Sequence, residues 1–343
     1  MSKIRVAING FGRIGRAFFK LAQQREEIEI VAINDLGDID NLAYLLKYDS
    51  VYGRSGFEVE VKDGNIIAGG HLVRVVQEKD PSKLPWGEMK IDVVVESTGF
   101  FTKFADARAH VMAGAKRVVI SAPAKDDPSG ESEGTILMGV NEDKFATCVV
   151  SSNASCTTNA GSPVMTILSE GLGIKKAVLN TVHAYTASQS LVDGPAKKDL
   201  RSGRAAALNI IPATTGAAIA TTKVLPSLEG KFDGISLRVP VPVGSIADIT
   251  FISKKKTTVE KVNEILKKAA TEDRWKGIFA VTDEPIVSQD IVGNTHASIA
   301  DLSFTKVVDG DLVKVLAWYD NEIGYTNSLV EHVIKTGSVV VSG

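Results

Sequence analysis

The run Ser151-Ser152-Asn153-Ala154-Ser155-Cys156-Thr157-Thr158-Asn159 places a thiol among hydroxyls and amides. Val149-Val150 before it reads as the end of a buried strand. Pro163 to Glu170 after it reads as a helix, with Val164, Ile167 and Leu168 at helical spacing. Cys156 is then expected where strand turns into helix, near unpaired backbone N–H groups and the positive end of the helix dipole. That setting favours thiolate, the nucleophilic form. The plain alternative is a small buried cysteine, which such polar neighbours make a poor fit.

A second chemical signal opens the chain. Ile4-Arg5-Val6-Ala7-Ile8 reads as a strand, Gly10-Phe11-Gly12-Arg13-Ile14-Gly15 follows, and a helix then carries Ile14, Phe18, Leu21 and Ala22 on one face. Gly-x-Gly-x-x-Gly between strand and helix suits a dinucleotide pyrophosphate, because Gly10 and Gly12 allow a tight turn and close backbone approach to the helix N-terminus. A second strand, Ile28 to Ile33, ends at Asn34-Asp35, about twenty residues past the last glycine. A carboxylate there accepts hydrogen bonds from the ribose hydroxyls and repels a 2′-phosphate, so NAD is expected rather than NADP. The alternative is that Asp35 caps a turn.

A nucleophilic cysteine beside a nicotinamide points to aldehyde oxidation through a thiohemiacetal, hydride transfer and a thioester. The thiolate needs a cationic or basic neighbour among five histidines, and a thiolate–imidazolium pair of Cys156 with His183 is expected. His71 lies in a strand of a hairpin region, His110 on a helix, His296 in a loop, and His332 near a helix C-terminus, where positive charge is simply stabilising. His183, at a strand end entering a long polar loop, is the one placed to face a crevice. Ser155, Thr157, Thr186, Thr215-Gly216, Arg201, Arg204 and Arg238 are candidates for binding an anion. Residue type alone does not separate these arginines from surface ones.

The elements that must hold these groups alternate at first. Asp38 to Tyr48 reads as a helix, and Phe57 to Val61 and Ile66-Ile67 as a hairpin about Asp63-Gly64. Leu72 to Val76 is a strand and Pro81 to Gly87 a loop. Asp92 to Val95 and Arg117 to Ile120 are apolar strands on either side of a helix over Thr102 to Gly114. Such a pattern implies a parallel sheet covered on both faces, with Asn9, Asn34, Ser97, Ser121 and Ser151 near the strand ends that line one crevice. After Cys156 the pattern changes. Val178 to His183 is a strand, Ala184 to Ala207 a long loop, and Ile235 to Pro240, Ile246 to Ser253, Ser298 to Val308 and Leu312 to Trp318 are longer antiparallel strands. Thr257-x-x-Glu260 is expected to cap a helix, with Val259, Val262, Ile265 and Leu266 inward. A last helix over Ile323 to Lys335 is expected to end at Gly337.

The 343 residues are 44% hydrophobic and 23% charged with a formal net charge of −2. That suits a soluble protein of about two domains and carries no electrostatic footprint for nucleic acid or a membrane surface. Two cysteines, Cys148 and Cys156, form no disulfide framework, and Cys148 reads as strand core. No apolar run approaches membrane-spanning length and no signal core is read, so the expected compartment is the cytoplasm, with reduced thiols. No metal site is read.

Together, Asn9 to Arg16, Ser155 to Asn159, Thr181 to Thr186, Asn209 to Pro212 with Thr215-Gly216, Arg238-Val239-Pro240 and Trp318 to Glu322 resemble the phosphorylating glyceraldehyde-3-phosphate dehydrogenases along the whole chain. The resemblance implies a Rossmann-type doubly wound parallel sheet over 1–155, an NAD-binding domain joined by a C-terminal helix over 319–343. It implies an α+β catalytic domain over 156–318 with a mostly antiparallel sheet. It further implies Cys156 as nucleophile and His183 as its base, later an acid. Ser155, Thr157, Thr215, Gly216 and Arg238 are implied around inorganic phosphate, and Thr186 with Arg238 and Arg201 around the phosphate of glyceraldehyde 3-phosphate. Arg13, Ile14, Asp35, Lys79 and Ser121 are implied as NAD contacts, and Asn321 as the residue that orients the nicotinamide carboxamide. The family is typically a homotetramer with the loop from Ala184 to Ala207 at its centre, and Pro195 matches its NAD-type members. Its reaction serves glycolysis or gluconeogenesis.

Three positions depart from the family pattern. Ala160 replaces a second cysteine, Ile323 a tryptophan and Val241 a threonine; none removes a catalytic role. The alternative within the enzymes is erythrose-4-phosphate dehydrogenase, a close relative with the same nucleophile. From another class, the chain could be an NAD-bound binding protein, for which an activated thiol has no use.

Overall fold

The structure, a computed structural model, describes residues 2–196 and 199–341. The chain divides into two compact units, Met1–Ala154 with Leu329–Gly343, and Ser155–Ser328.

The first unit contains β1 (Ile4–Asn9), α1 (Arg13–Ala22), β2 (Ile28–Asn34), α2 (Ile39–Lys47), β3 (Tyr48–Asp49), β4 (Gly53–Arg54), β5 (Val59–Lys62), β6 (Asn65–Ala68) and β7 (His71–Val76). It continues with β8 (Val93–Glu96), α3 (Phe104–Met112), β9 (Arg117–Ile120), β10 (Glu133–Thr135) and β11 (Val150–Ser152). Nine of these strands form one sheet in the order β10-β11-β9-β8-β1-β2-β7-β6-β5. From β10 to β7 every pair is parallel, and the hairpin β5–β6 continues the sheet antiparallel. Strands this apolar need cover on both faces: Val93, Val94, Val95, Val118, Val119 and Ile120 are all wholly buried. The chain leaves β1 for β2 on one side and later returns to β8 on the other. The switch point where ligands collect therefore lies beside β1. Asp63 (φ 50°) and Gly64 (φ 70°) make the two-residue turn expected of the hairpin.

The second unit contains α4 (Cys156–Leu172), β12 (Ile174–Ala184), β13 (Ile211–Thr214), α5 (Ala217–Val224), β14 (Phe232–Val239), β15 (Ser245–Ser253) and α6 (Val259–Ala269). It continues with β16 (Phe279–Thr282), β17 (Ser298–Val308), β18 (Leu312–Tyr319) and the start of α7 (Ile323–Val341), whose residues from Leu329 on belong to the first unit. Its sheet runs β13-β14-β12-β15-β18-β17-β16. The pairing is mostly antiparallel, but β14 runs parallel to β12 and β16 parallel to β17. The fold class is thus the expected one, a doubly wound parallel sheet and an α+β unit.

Several local expectations are corrected. The helix after the nucleophile begins at Cys156, not Pro163, which sits inside it. Pro163 resembles a first-turn proline, and the polar run Thr157 to Ser162 is a weak helix former. The start is instead set by Ser155, whose Oγ accepts from the Thr158 amide at 3.1 Å, and by burial of every residue from Thr157 to Leu168. Of the strand expected over Ile235 to Pro240, Ile235 to Val239 lie in β14, which is antiparallel to β13 but parallel to its other neighbour, β12. The cap of α6 is Thr258, not Thr257, and accepts from the Lys261 amide. Strands β10, β13 and β16 and helix α5 were not read from sequence. The final helix starts at Ile323, residue 319 closing β18 instead, and it runs through Gly337 to Val341; residues 342–343 lie outside those described. Of the loop from Ala184 to Ala207, residues 197–198 also lie outside, and its described part holds a single 3-10 turn at Leu200–Gly203.

Gly337 is not a stop signal but a close-packing point. A Cβ there would collide with the buried side chain of Ile4. Gly337→Val is therefore expected to lower stability by about 1–3 kcal/mol, the usual range for overpacking a filled core. A shift of the urea midpoint against wild type checks it, and an unchanged midpoint refutes it.

Candidate active site

In the first unit, Gly10 (φ 94°) takes a conformation that L side chains avoid, and a Cβ on it would lie 2.6 Å from the Thr98 amide. Gly12 is different. It precedes α1 with no side-chain cap, the first helical turn has no acidic residue, and the space around it is open. It lines a cavity of about 950 Å³ together with Asn9, Asn34, Asp35, Lys79 and Ser97. A helix N-terminus with no side-chain cap, reached over a bare glycine, fits an anionic pyrophosphate, so the residues present suit a dinucleotide. Asp35 does two things. Its Oδ1 accepts from Gly37 N (2.8 Å), closing a turn, and its Oδ2 accepts from Phe11 N (2.7 Å), holding the glycine loop. Each oxygen keeps a lone pair for a further donor.

Arg13 pairs with Asp49 (2.6 Å) and, like the half-buried Ile14 beside it, is absent from the cavity wall. Ser121 follows β9 and is also absent from that wall, as is Ser151. The expected crevice is therefore lined by three of its five strand-end residues. Beneath it lies a buried chain that sequence did not suggest. Trp86 Nε1 donates to His110 Nδ1 (3.0 Å), so the ring proton sits on Nε2, facing Glu96 Oε2 at 3.0 Å. Glu96 also accepts from Asn9 Nδ2 (2.5 Å), Thr98 N (2.9 Å) and the Thr98 hydroxyl. Asn9 in turn accepts from Asn34 Nδ2 (2.6 Å). The polar floor of the cavity is thereby fixed by one fully satisfied network.

His332 is a further correction. It is wholly buried near the middle of α7, bonded to Ser151 Oγ (2.8 Å) and Asn153 Oδ1 (3.1 Å). Burial lowers its pKa to about 3, so it is a neutral hydrogen-bonding group and not a cation at a helix end. Cys148 is buried as expected but just precedes β11, and burial pushes its thiol up.

In the second unit, Cys156 is the first residue of α4, and its Sγ lies 3.3 Å from Nε2 of His183, the penultimate residue of β12. His183 is paired in register with Arg238 on β14. Its Nδ1 lies 2.7 Å from Ala184 O and 2.5 Å from Arg238 Nη1. Tyr319, fully buried at the end of β18, sets its ring edge-on to the imidazole with centroids 5.9 Å apart. Its hydroxyl joins Thr157 Oγ1 (2.9 Å) to Thr181 Oγ1 (2.7 Å). Tyr319 stands in a motif noted in the sequence, but its position beside the histidine was not legible.

The electrostatics differ from the sequence expectation of a thiolate. Burial pushes the Cys156 thiol up, against the opposing charge of Arg238 and hydrogen bonds from Thr157. Burial, helped by the positive charge of Arg238, lowers His183 to about 3. For both groups desolvation is the largest cause, and it favours the uncharged forms.

The anion candidates are arranged unevenly. Gly216 precedes α5 with no side-chain cap, while Thr215 Oγ1 accepts from Ala217 N (3.2 Å). Ser155 Oγ is engaged with Thr158, Thr157 with Tyr319, and Thr186 Oγ1 with Ser188 Oγ (2.8 Å). Arg201 is exposed and forked onto Asp199 (3.0 and 2.8 Å), and Arg204 pairs with Asp193 (2.9 Å). Neither bonds to Cys156, His183 or Arg238. Asn321 Oδ1 accepts from Gly244 N (3.1 Å) and Ser245 Oγ (3.0 Å), and Ser245 Oγ accepts from Ala184 N (3.1 Å). Because an amide N–H only donates, these contacts fix which end of the Asn321 amide is oxygen.

Two comparisons bear on this arrangement. Residues 4–104 match the description "Glyceraldehyde 3-phosphate dehydrogenase, NAD binding domain", and residues 155–321 match "Glyceraldehyde 3-phosphate dehydrogenase, C-terminal domain". Among curated relatives, "Glyceraldehyde-3-phosphate dehydrogenase" of Streptomyces coelicolor is 51% identical over 98% of this chain and 99% of its own length. That of Geobacillus stearothermophilus is 51% identical over 96% of each. "Glyceraldehyde-3-phosphate dehydrogenase 1" of Bacillus subtilis is 50% identical over 97% of this chain and 99% of its own. Among the described residues no helix is long and apolar enough to cross a membrane.

Proposed function

Because the chain belongs to the glyceraldehyde-3-phosphate dehydrogenase family, an NAD-binding family of oxidoreductases, we propose that it oxidises D-glyceraldehyde 3-phosphate and phosphorylates the product to 1,3-bisphosphoglycerate. The observation that carries this reading is the 3.3 Å approach of Cys156 Sγ to His183 Nε2 at the start of a buried helix. A neutral imidazole is the form able to take the thiol proton as sulfur attacks the aldehyde carbon. His183 returns that proton to the former carbonyl oxygen, giving a thiohemiacetal held on Cys156, and takes the hydroxyl proton back as hydride departs. NAD, when bound, accepts that hydride. The thioester left on Cys156 is then attacked by inorganic phosphate, releasing the acyl phosphate and restoring the thiol.

The division of labour follows. Residues 1–155 with the C-terminal helix hold NAD, with Gly10, Gly12, Asp35 and Lys79 at the cavity and Arg13, Ile14 and Ser121 near its strand ends. Residues 156–318 carry Cys156 and His183, and Asn321, whose amide is already oriented, meets the carboxamide. Ser155, Thr157, Thr215, Gly216 and Arg238 receive inorganic phosphate, and Thr186, Arg201 and Arg238 the substrate phosphate. Arg201 must leave Asp199 to do so, an exposed pair that costs little to break. Large apolar side chains exposed on the second unit (Leu208 82%, Ile210 68%, Val178 60%, Ile235 56%) support burial against further copies in a cytoplasmic homotetramer. A solution mass near one chain, rather than about four, would overturn that assembly.

The central test is the initial rate of NADH formation from glyceraldehyde 3-phosphate and NAD, with and without inorganic phosphate. Turnover is expected to require phosphate. Equal rates without it, or a preference for erythrose 4-phosphate, would move the chain to the hydrolytic relative.

A further inference from the structure

The buried network under the dinucleotide cavity holds a charge with no opposite charge beside it. Asn34 takes its direction from the backbone: its Oδ1 accepts from Glu78 N and its Nδ2 donates to Glu78 O, both at 2.9 Å. Asn34 Nδ2 also donates to Asn9 Oδ1 (2.6 Å), which turns Asn9 Nδ2 onto Glu96 Oε2 (2.5 Å). On the other side, Glu96 Oε1 meets the peptide N–H of Thr98 (2.9 Å) and the Thr98 hydroxyl. Both oxygens thus face donors whose direction the backbone dictates. A carboxylate accepts from all of them, whereas a carboxyl sets a proton, and an amide an NH₂ group, against one. Trp86 Nε1–H, which can only donate, occupies His110 Nδ1 (3.0 Å). His110 is then a neutral donor of one N–H to Glu96 Oε2 (3.0 Å), not its counterion. Both side chains are wholly buried, and among the described residues no lysine or arginine pairs with Glu96. A carboxylate held by neutral donors alone is costlier to bury than an apolar side chain.

The place of Glu96 in the sheet indicates what this charge meets. A doubly wound fold takes a dinucleotide in two halves on either side of its switch point, and the acidic residue after the second strand marks the adenosine half. Here that residue is Asp35, and the charged residues of the cavity wall (Asp35, Glu78, Lys79, Asp80 and Lys83) all follow β2 or β7. Glu96 closes β8, across β1 from them, and its partners Asn9 and Thr98 are themselves part of the wall. That is the nicotinamide half. The nicotinamide ring is cationic when oxidised and neutral when reduced, while the pyrophosphate is common to both forms. We propose that Glu96 is a determinant of specificity for the oxidation state of the cofactor, its buried charge favouring NAD over NADH. This rests on the reading of the cavity as the dinucleotide site. Water does not screen a charge inside the floor, and even across about 10 Å at an effective dielectric constant of about 20 it alters a binding constant by on the order of tenfold. The attraction ends when the ring accepts hydride, so the same residue that retains NAD lets NADH go.

The test is calorimetric titration of the full chain with NAD, NADH and ADP-ribose, the last carrying the adenosine half and pyrophosphate without the ring. In Glu96→Gln the ratio of Kd for NAD to Kd for NADH is expected to rise on the order of tenfold over wild type. NADH and ADP-ribose should move together, since the lost hydrogen bond and the altered field at the pyrophosphate act on both. A merely structural role shifts all three constants by one factor, and that outcome overturns the inference. His110→Gln disturbs the network but keeps the carboxylate, because its amide can accept from Trp86 and donate to Glu96. It should leave the ratio at the wild-type value, and a rise equal to that of Glu96→Gln overturns the role of charge. If Glu96→Gln does not fold, His110→Lys sets a cation against the carboxylate and should raise the ratio instead; an unchanged ratio there refutes the proposal. Wild-type chain that binds none of the three ligands would mean that the dinucleotide reading itself fails, a result distinct from the others.

Discussion

Cys156→Ser is expected to lower kcat/KM for NADH formation from glyceraldehyde 3-phosphate by on the order of 10⁴-fold or more, with NAD affinity unchanged. The size follows from what is removed. Cys156 opens α4 and meets one base at 3.3 Å, so the covalent route has a single entrance. A hydroxyl in the same place gives up its proton far less readily, in surroundings that already push a thiol up. His183→Asn should cost less, on the order of 10²–10⁴-fold, because the thiol retains some reactivity without its acceptor. The double variant should be little worse than Cys156→Ser, since the two act as a unit. Initial rates beside an NAD titration decide the matter. A serine variant that keeps more than about one part in a hundred of the wild-type rate would remove Cys156 from the covalent role.

The second large effect is on acid stability. His332 and His183 are buried, with pKa values lowered to about 3, whereas the unfolded chain titrates near the ordinary value of 6.5. Between those limits the unfolded state binds more protons than the folded one, so stability rises with pH through the window and is lost as pH falls from about 6.5 toward about 3. Each histidine adds a slope of one proton, on the order of 1 kcal/mol per pH unit. His332→Gln can keep bonds to Ser151 and Asn153 without a titrating ring. Urea unfolding of this variant and wild type at several pH values from 4 to 7 should differ in slope by about one proton. Parallel curves would show that His332 is not held neutral by the fold.

What could be read in advance divides along physical lines. The Gly10 to Gly15 loop and Asp35 were legible because their constraints are local: a left-handed residue, a bare helix start and a carboxylate one strand later. The alternating apolar strands were legible because burial on both faces leaves near-continuous Val and Ile runs. Cys156 could be placed at a strand-to-helix corner, yet the helix start was misjudged, since Pro163 mimics a first-turn residue while Ser155 does the capping. Gly337 looked like a terminator because glycine permits two things, a left-handed turn and close approach, and only Ile4 across the packing decides between them. The desolvation that pushes the Cys156 thiol up and His183 down was hidden for a similar reason. A helix dipole can be inferred from order along the chain, whereas desolvation depends on everything that packs around the site. Tyr319 and Arg238 reach His183 from strands far off in sequence, and no local pattern carries that adjacency.

The ladder between β12 and β14 sets His183 opposite Arg238 through eight consecutive pairs, from Ala177 with Phe232 to Ala184 with Val239. Alternation along a strand means that a slip of one residue turns every side chain to the opposite face. A single insertion or deletion between Phe232 and Leu237 would therefore part the base from the guanidinium while leaving every residue of the site intact. Such changes should be silent in composition and ruinous in turnover, so lengthening of this half of the chain is tolerable in its loops and not in these two strands. The reacting groups are, in that sense, specified by counting as much as by chemistry.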